Sequence, residues 1–152
     1  MKLILPPDLR ERIDVEARAS FPRECCGLIE GLRDGDVARA FALHPTRNIA
    51  ARADRFEIAP EDHFAALKMA RTNGQDLIGC YHSHPGGRAE PSLNDRQGAG
   101  EEGFLWLIAS LAHGSAPATL AAFVYSAPVF LPAELLCAVG ADLVTSSEKA
   151  RN

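Results

Sequence analysis

The stretch Asp76-Leu77-Ile78-Gly79-Cys80-Tyr81-His82-Ser83-His84-Pro85 decides how this chain is built. Its first six residues form a short, mainly apolar run bounded by turn residues, which reads as a buried strand that ends at the two histidines. Side chains two apart on an extended strand share a face, so His82 and His84 can direct their imidazoles at one point, and that point can hold a metal. The carboxyl end of a strand is also where α/β proteins build their sites. A third ligand must come from elsewhere. The loop Gly86-Gly87-Arg88-Ala89-Glu90-Pro91 lets the chain reverse, Pro91-Ser92 reads as a helix start, and Asp95 falls in the first helical turn beside Ser92. Two imidazoles and a carboxylate leave a tetrahedral metal one position for water, the pattern of a catalytic site.

Two long apolar runs lie downstream, Phe104 to Ser110 and Ala118 to Tyr125, joined by His113-Gly114-Ser115-Ala116-Pro117. Runs of this kind suit interior strands covered on both faces, which predicts an α/β fold with a mixed β-sheet flanked by helices. Upstream, Pro7 to Ala19 carries Leu9, Ile13 and Ala17 on one helical stripe. Strands are predicted over Cys25–Glu30 and Val37–Leu43, with Arg33-Asp34-Gly35-Asp36 as a hairpin turn. His44–Asp54 reads as a loop, Arg55–Ile58 as a short strand, and Pro60–Thr72 as a helix closed by Asn73-Gly74. The helix from Ser92 to about Glu102 is weakened by Gly98 and Gly100, each costing up to ~1 kcal/mol relative to Ala. Pro128–Pro132 reads as an edge segment or loop, and the Ala- and Leu-rich run Ala133–Val144 as a helix packed on the core or facing a partner.

The spacing resembles that of the JAMM, or MPN-plus (Mov34/JAB1-like), zinc metalloproteases of the short bacterial type. Their pattern is a distant Glu, then His-x-His-Pro, seven residues to a Ser, and Ser-x-x-Asp, and it is matched here by His82, His84, Pro85, Ser92 and Asp95. Glu24, in Pro22-Arg23-Glu24-Cys25-Cys26-Gly27, is similar to the upstream Glu of the family; Glu30 and Glu57 are the other acidic residues on neighbouring segments. Asn48, Phe56 and Pro60 also look similar to bacterial members. The resemblance spans most of the chain. It implies a JAB1/MPN three-layer architecture, similar to cytidine deaminases, with Zn2+ held by His82, His84 and Asp95. It further implies Glu24 as general acid and base and Ser92 as a donor to the oxyanion, a role worth roughly 3 kcal/mol of barrier.

The implied activity is that of a zinc-dependent metallopeptidase or isopeptidase, cleaving after the C-terminal Gly-Gly tail of a ubiquitin-like or sulfur-carrier protein. Two settings fit that resemblance: sulfur-carrier processing, and removal of a ubiquitin-like modifier as in bacterial conjugation or antiphage-defence operons. An alternative is a noncatalytic MPN-type scaffold, against which the intact ligand set argues. A base deaminase would need Pro-Cys-x-x-Cys beside His-x-Glu, and neither occurs.

Composition sets further bounds. A chain of 152 residues with 47% hydrophobic content suits one domain, predicted over residues 1–145 with a frayed tail at 146–152. The net charge of −4 with dispersed Lys and Arg excludes a phosphate-neutralising nucleic-acid binder. No apolar run approaches the ~20 residues of a membrane span. Met1-Lys2-Leu3-Ile4-Leu5-Pro6-Pro7 is too short and broken for a signal peptide. Cys25, Cys26, Cys80 and Cys137 form no spaced pairs, which together with the missing leader predicts buried thiols in a cytoplasmic protein. Cys80 shares strand parity with His82 and His84 and is expected beneath the site as packing. His44, His63 and His113 read as isolated, solvated imidazoles.

Overall fold

In the computed structural model, which describes residues 1–138, three helices interrupt seven strands. The order is β1 (Lys2–Ile4), α1 (Pro7–Ser20), β2 (Cys26–Asp34), β3 (Val37–Thr46), α2 (Pro60–Thr72), β4 (Asp76–Pro85), α3 (Leu93–Gly98), β5 (Leu105–Leu111), β6 (Thr119–Ser126) and β7 (Val129–Leu136). The β2–β3 hairpin closes through Gly35-Asp36, where Gly35 takes φ 57°, the left-handed conformation that selects glycine.

The strands are ordered β1-β3-β2-β4-β5-β6-β7. β4 and β5 run parallel at the centre and most other pairs are antiparallel, so the sheet is mixed as expected. It does not stay open between two helical layers. β1 pairs in parallel with both β3 and β7, and the sheet closes into a barrel, which corrects the three-layer expectation. The closing strand is only three residues long, too short for a periodic signal, and it lies within the amino-terminal stretch Met1–Pro7.

Closure gives the sheet an inside and an outside. Inside, the α1 stripe Leu9, Ile13 and Ala17 packs with Leu3, Leu5 and Leu107. Each large aliphatic side chain fully withdrawn from water there contributes roughly 1.5–3 kcal/mol. Outside, α2 lays Ala66 and Ala70 on the sheet, and Leu28, Cys80, Trp106 and Tyr125 form a second layer. A bulge in β4 sets which residues face which side. Ile29 pairs with Gly79 but Glu30 with Leu77, so Ile78 is the extra residue. Beyond it Tyr81 belongs to the interior and Cys80 to the outer layer, on the parity of His82 and His84.

Several boundaries differ from the sequence reading. Residues 44–46, expected in a loop, continue β3, and the expected strand Arg55–Ile58 reduces to a single bridge between Asn48 and Ile58. α3 stops at Gly98, before the glycine-rich turn can be forced into a helix. Val129–Leu136 is a strand: over 129–132, where only β6 pairs with it, the edge-segment reading holds and the loop does not, and no helix begins at Ala133. Position 132 tolerates proline because β7 lies beside the short closing strand, which pairs only with Glu134, Leu135 and Leu136. The rest of the expected helix and the tail at 146–152 lie outside the described residues.

Candidate metal centre

β4 delivers both imidazoles to one point, as its parity requires. His82 Nε2 and His84 Nε2 are 2.9 Å apart, and Asp95 Oδ2 lies 3.1 Å from each. The carboxylate reaches that point because of how α3 begins. Ser92 caps the helix by accepting the Asp95 N–H at 3.0 Å, and Asp95 Oδ2 in return accepts the Ser92 N–H at 2.8 Å. This capping box, worth about 1 kcal/mol for its Ser alone, holds the Asp95 side chain back toward the strand end.

Protonation states follow from the second ring atoms and from burial. His84 Nδ1 lies 2.7 Å from the Arg88 carbonyl, which can only accept, so Nδ1 carries a proton and the ring, when neutral, turns the Nε2 lone pair to the centre. His82 is wholly buried, and burial pushes its imidazolium below the usual range against the pull of Asp95. Burial also works against the charged form of His84, but the Asp95 contact and the Arg88 carbonyl outweigh it and raise the ring. For Asp95, burial favours the acid, yet the two imidazoles and the Ser92 N–H together hold the carboxyl well below the carboxylate range.

Two ring nitrogens and a carboxylate oxygen, all within 3.1 Å of one another, form a cluster of the donor types that bind a divalent cation. A divalent cation satisfies all three, and a tetrahedral zinc with bonds near 2.0–2.1 Å would space its ligands by about 3.3 Å, close to the triangle seen. The donor set therefore fits the zinc that the sequence pattern implies.

Glu24 arrives from a distant segment. A carboxylate oxygen of Glu24 and one ring nitrogen from each of His82 and His84 lie within 4.8 Å of one another. The antiparallel register pairs Cys26 with His82, and Cys25 is stapled to Ser83 by its N–H donating to Ser83 Oγ at 2.8 Å and its C=O accepting the Ser83 N–H at 3.1 Å. Asn48 Nδ2 donates to the Glu24 carbonyl at 3.0 Å. Glu24 Oε1 is buried without a hydrogen-bond partner. Burial pushes its carboxyl up to about 7; His84 pulls it back, while Asp95 and Asp54 push it further. Such a group holds or releases a proton near neutrality, as a general acid and base must.

All five predicted residues thus meet at one place. Of the other acidic candidates, Glu30 is bound elsewhere, 2.6 Å from His44 Nε2 and accepting Asn73 Nδ2 at 2.9 Å. That contact also corrects the reading of His44 as an isolated imidazole. Cys80 is buried in the outer layer beside Trp106, and burial keeps its thiol protonated, in keeping with packing. Four contributors carried little or no sequence signal. Phe56 stacks on His82 with ring centroids 4.3 Å apart, Trp106 meets the same imidazole edge-on at 5.7 Å, Ser83 staples β4 to Cys25, and Asn48 binds the backbone around Glu24 and Glu57. For Ser83 the signal was its place between the two histidines on the inward parity; for Trp106 there was none.

The centre lies between two clefts. One, of about 370 Å³, is floored by Leu28, Phe56, Ile58, Phe104 and Trp106 and reaches Asp95. The other, of about 500 Å³, contains Glu24, His84 and Ser92 together with Asp54, Arg88 and Glu90. Asn94 Nδ2 donates to the Asp54 carbonyl at 3.3 Å, so a strap joins α3 to the 50–58 segment between them.

A family model describing prokaryotic homologs of the JAB domain matches residues 6–124. The chain belongs to that family, the short bacterial type of the JAMM/MPN proteins. This JAB-domain chain is 36% identical over 114 residues to a desampylase of Haloferax volcanii, covering 72% of this chain and 81% of that protein. It is 34% identical over 96 residues to a probable TtuB-protein conjugate cleaving protease of Thermus thermophilus, covering 61% and 60%. A Desulfitobacterium hafniense protein solved in solution superposes with a TM-score of 0.81 at 30% identity, over 90% of this chain and 92% of that one. Among the described residues of the JAB-domain chain, no helix is long and apolar enough to cross a membrane.

Proposed function

We propose that this JAB-domain protein is a zinc-dependent metallopeptidase that hydrolyses a peptide or isopeptide bond after the C-terminal Gly-Gly tail of a ubiquitin-like or sulfur-carrier protein. The observation that carries the reading is the convergence of two imidazole nitrogens and the Asp95 carboxylate beside a buried Glu24 that binds a proton up to about pH 7. The names of the desampylase and of the conjugate-cleaving protease support the substrate class.

His82, His84 and Asp95 hold the ion, which when bound supplies Lewis acidity and a nucleophile at neutral pH. Glu24 takes a proton from the attacking water and gives it to the departing nitrogen. The Ser92 oxygen is committed as an acceptor to the Asp95 N–H, which leaves its O–H free to donate to the oxygen that becomes negative as the carbonyl is attacked. Phe56 and Trp106 shield the His82 ring from water, which strengthens each of these charge interactions. A noncatalytic scaffold would have no use for a buried, unpartnered carboxylate beside a complete ligand set.

The test pairs metal content with cleavage of ubiquitin-like proteins carrying a C-terminal extension. Wild type should bind one zinc and cleave; His82→Ala should lose both; Glu24→Gln should keep the zinc and lose at least about a thousandfold in turnover. Unchanged cleavage by His82→Ala overturns the proposal, and a wild type that folds but takes up no zinc revives the scaffold.

A further inference from the structure

Which cleft receives which half of the substrate follows from the position of Glu24. Hydrolysis breaks the carbonyl carbon–nitrogen bond, places the water oxygen on carbon, and delivers one water proton to nitrogen. Glu24 must touch that nitrogen, and it lines the second cleft, with His84, Arg88 and Ser92, and not the first. The departing amine therefore occupies the second cleft.

The charges of that cleft are unequal in their freedom. Asp54 is held by Arg52, at 3.1 and 3.0 Å, and by Arg55 at 3.5 Å. Arg88 is exposed, and among the described residues no carboxylate lies within ion-pairing distance of its guanidinium. Its backbone is nonetheless fixed to the centre. The Arg88 carbonyl contacts His84 Nδ1 at 2.7 Å, the preceding Gly87 carbonyl accepts Ser110 Oγ at 2.7 Å, and the Gly86 N–H donates to the Leu111 carbonyl at 2.7 Å. An unpaired guanidinium thus extends into the cleft from a backbone fixed beside the centre.

We infer that Arg88 is a specificity-determining residue that binds the α-carboxylate of the departing residue, so that the enzyme favours a single amino acid at the end of the tail over an ε-linked lysine. The inference rests on the hydrolase reading above. In a terminal residue the carboxylate stands one carbon from the departing nitrogen, within the cleft, and matches the fork of a guanidinium. A lysine side chain places four methylenes there and no anion.

The probes are acetylated Leu-Gly-Gly-Ala as free acid and as C-terminal amide, and acetylated Leu-Gly-Gly joined to the ε-amine of lysine amide. Binding to metal-free wild type is followed by NMR titration, and turnover by the zinc-loaded protein by chromatography. The free acid should bind roughly tenfold tighter than either other probe, with the advantage in KM and not in kcat. Arg88→Ala should erase that difference without altering turnover of the amide at saturation, and Arg88→Lys should restore part of it. Equal binding of acid and amide by wild type, or an advantage that survives Arg88→Ala, overturns the role of Arg88 while leaving the hydrolase intact. Zinc-loaded wild type that cleaves neither these probes nor ubiquitin-like fusions overturns the hydrolase reading and the inference with it.

Discussion

Tyr81 and His82 are neighbours in β4 and both are withdrawn completely from water, yet they belong to two different bodies. Tyr81 points into the barrel, where its hydroxyl donates to Glu16 Oε2 on α1 at 2.7 Å and its ring fills the space that Gly27 leaves open. His82 points outward, against Phe56 and Trp106, with its Nε2 facing Asp95. The interior is filled by packed apolar side chains such as Leu3, Leu9, Ile13 and Leu107. The outer layer is packed as firmly under the histidine but opens into two clefts at its rim. One strand therefore serves stability on one face and chemistry on the other, and substitutions on the two faces should separate those effects.

The largest separation is expected at Gly79. A methyl group there would fall on the carbonyl oxygen of Leu105, a backbone atom in the adjoining strand that cannot yield. Gly79→Ala should leave little folded protein, seen as loss of the cooperative thermal transition in circular dichroism. Leu107→Ala, in the barrel interior, should cost about 3 kcal/mol and lower the melting temperature by roughly 10 °C, while cleavage per folded molecule stays unchanged. If Leu107→Ala abolished cleavage at temperatures where it is folded, the two faces would not be separable.

On the outer face the pattern should invert. His84→Ala should leave the melting temperature of metal-free protein within a few degrees of wild type and remove zinc uptake, as measured by elemental analysis. Phe56→Leu removes the ring stacked on His82 while keeping apolar volume. It should weaken zinc roughly tenfold, read by competition with a chelator, with a stability loss of about 1 kcal/mol or less.

The smallest effect concerns pH and sharpens the comparison from the interior side. Burial raises the Glu16 carboxyl above its ordinary value, although the Tyr81 hydrogen bond and Arg12 oppose that shift. A carboxyl whose folded pKa exceeds its unfolded one adds stability below the unfolded value and loses it as pH rises through the folded value. Wild type should therefore lose melting temperature relative to Glu16→Gln as pH rises from 4 toward neutrality, with the gap constant above that range. A gap that grew on acidification instead would reverse the sign assigned to Glu16.

Legibility in the sequence followed the range of the interactions involved. His82, His84, Ser92 and Asp95 were readable because strand parity and the capping box act within a few residues. The shortness of α3 was readable from Gly98 and Gly100. Glu24 was readable only through its likeness to a known pattern, since Glu30 is of the same type and sits on the same strand system, and the distinction lies in Glu30 being engaged by His44 and Asn73. Phe56 was marked only by its likeness to bacterial members and Trp106 not at all, and their propping of His82 was hidden for the same reason: those rings come from a loop and from β5, and nothing local ties them to the histidine.

By itself the sequence determined the candidate triad of His82, His84 and Asp95 and the strand that presents its histidines, because both are set by local periodicity and by hydrogen bonds a residue or three away. Only the tertiary structure decided that the sheet would close, that Glu24 would stand beside the histidines, and that the site would lie between two clefts, one reaching Asp95 and the other Glu24 and Arg88. Those outcomes depend on strand pairings between Lys2 and Glu134 and between Cys26 and His82, and pairing across such separations is chosen by the whole packed chain.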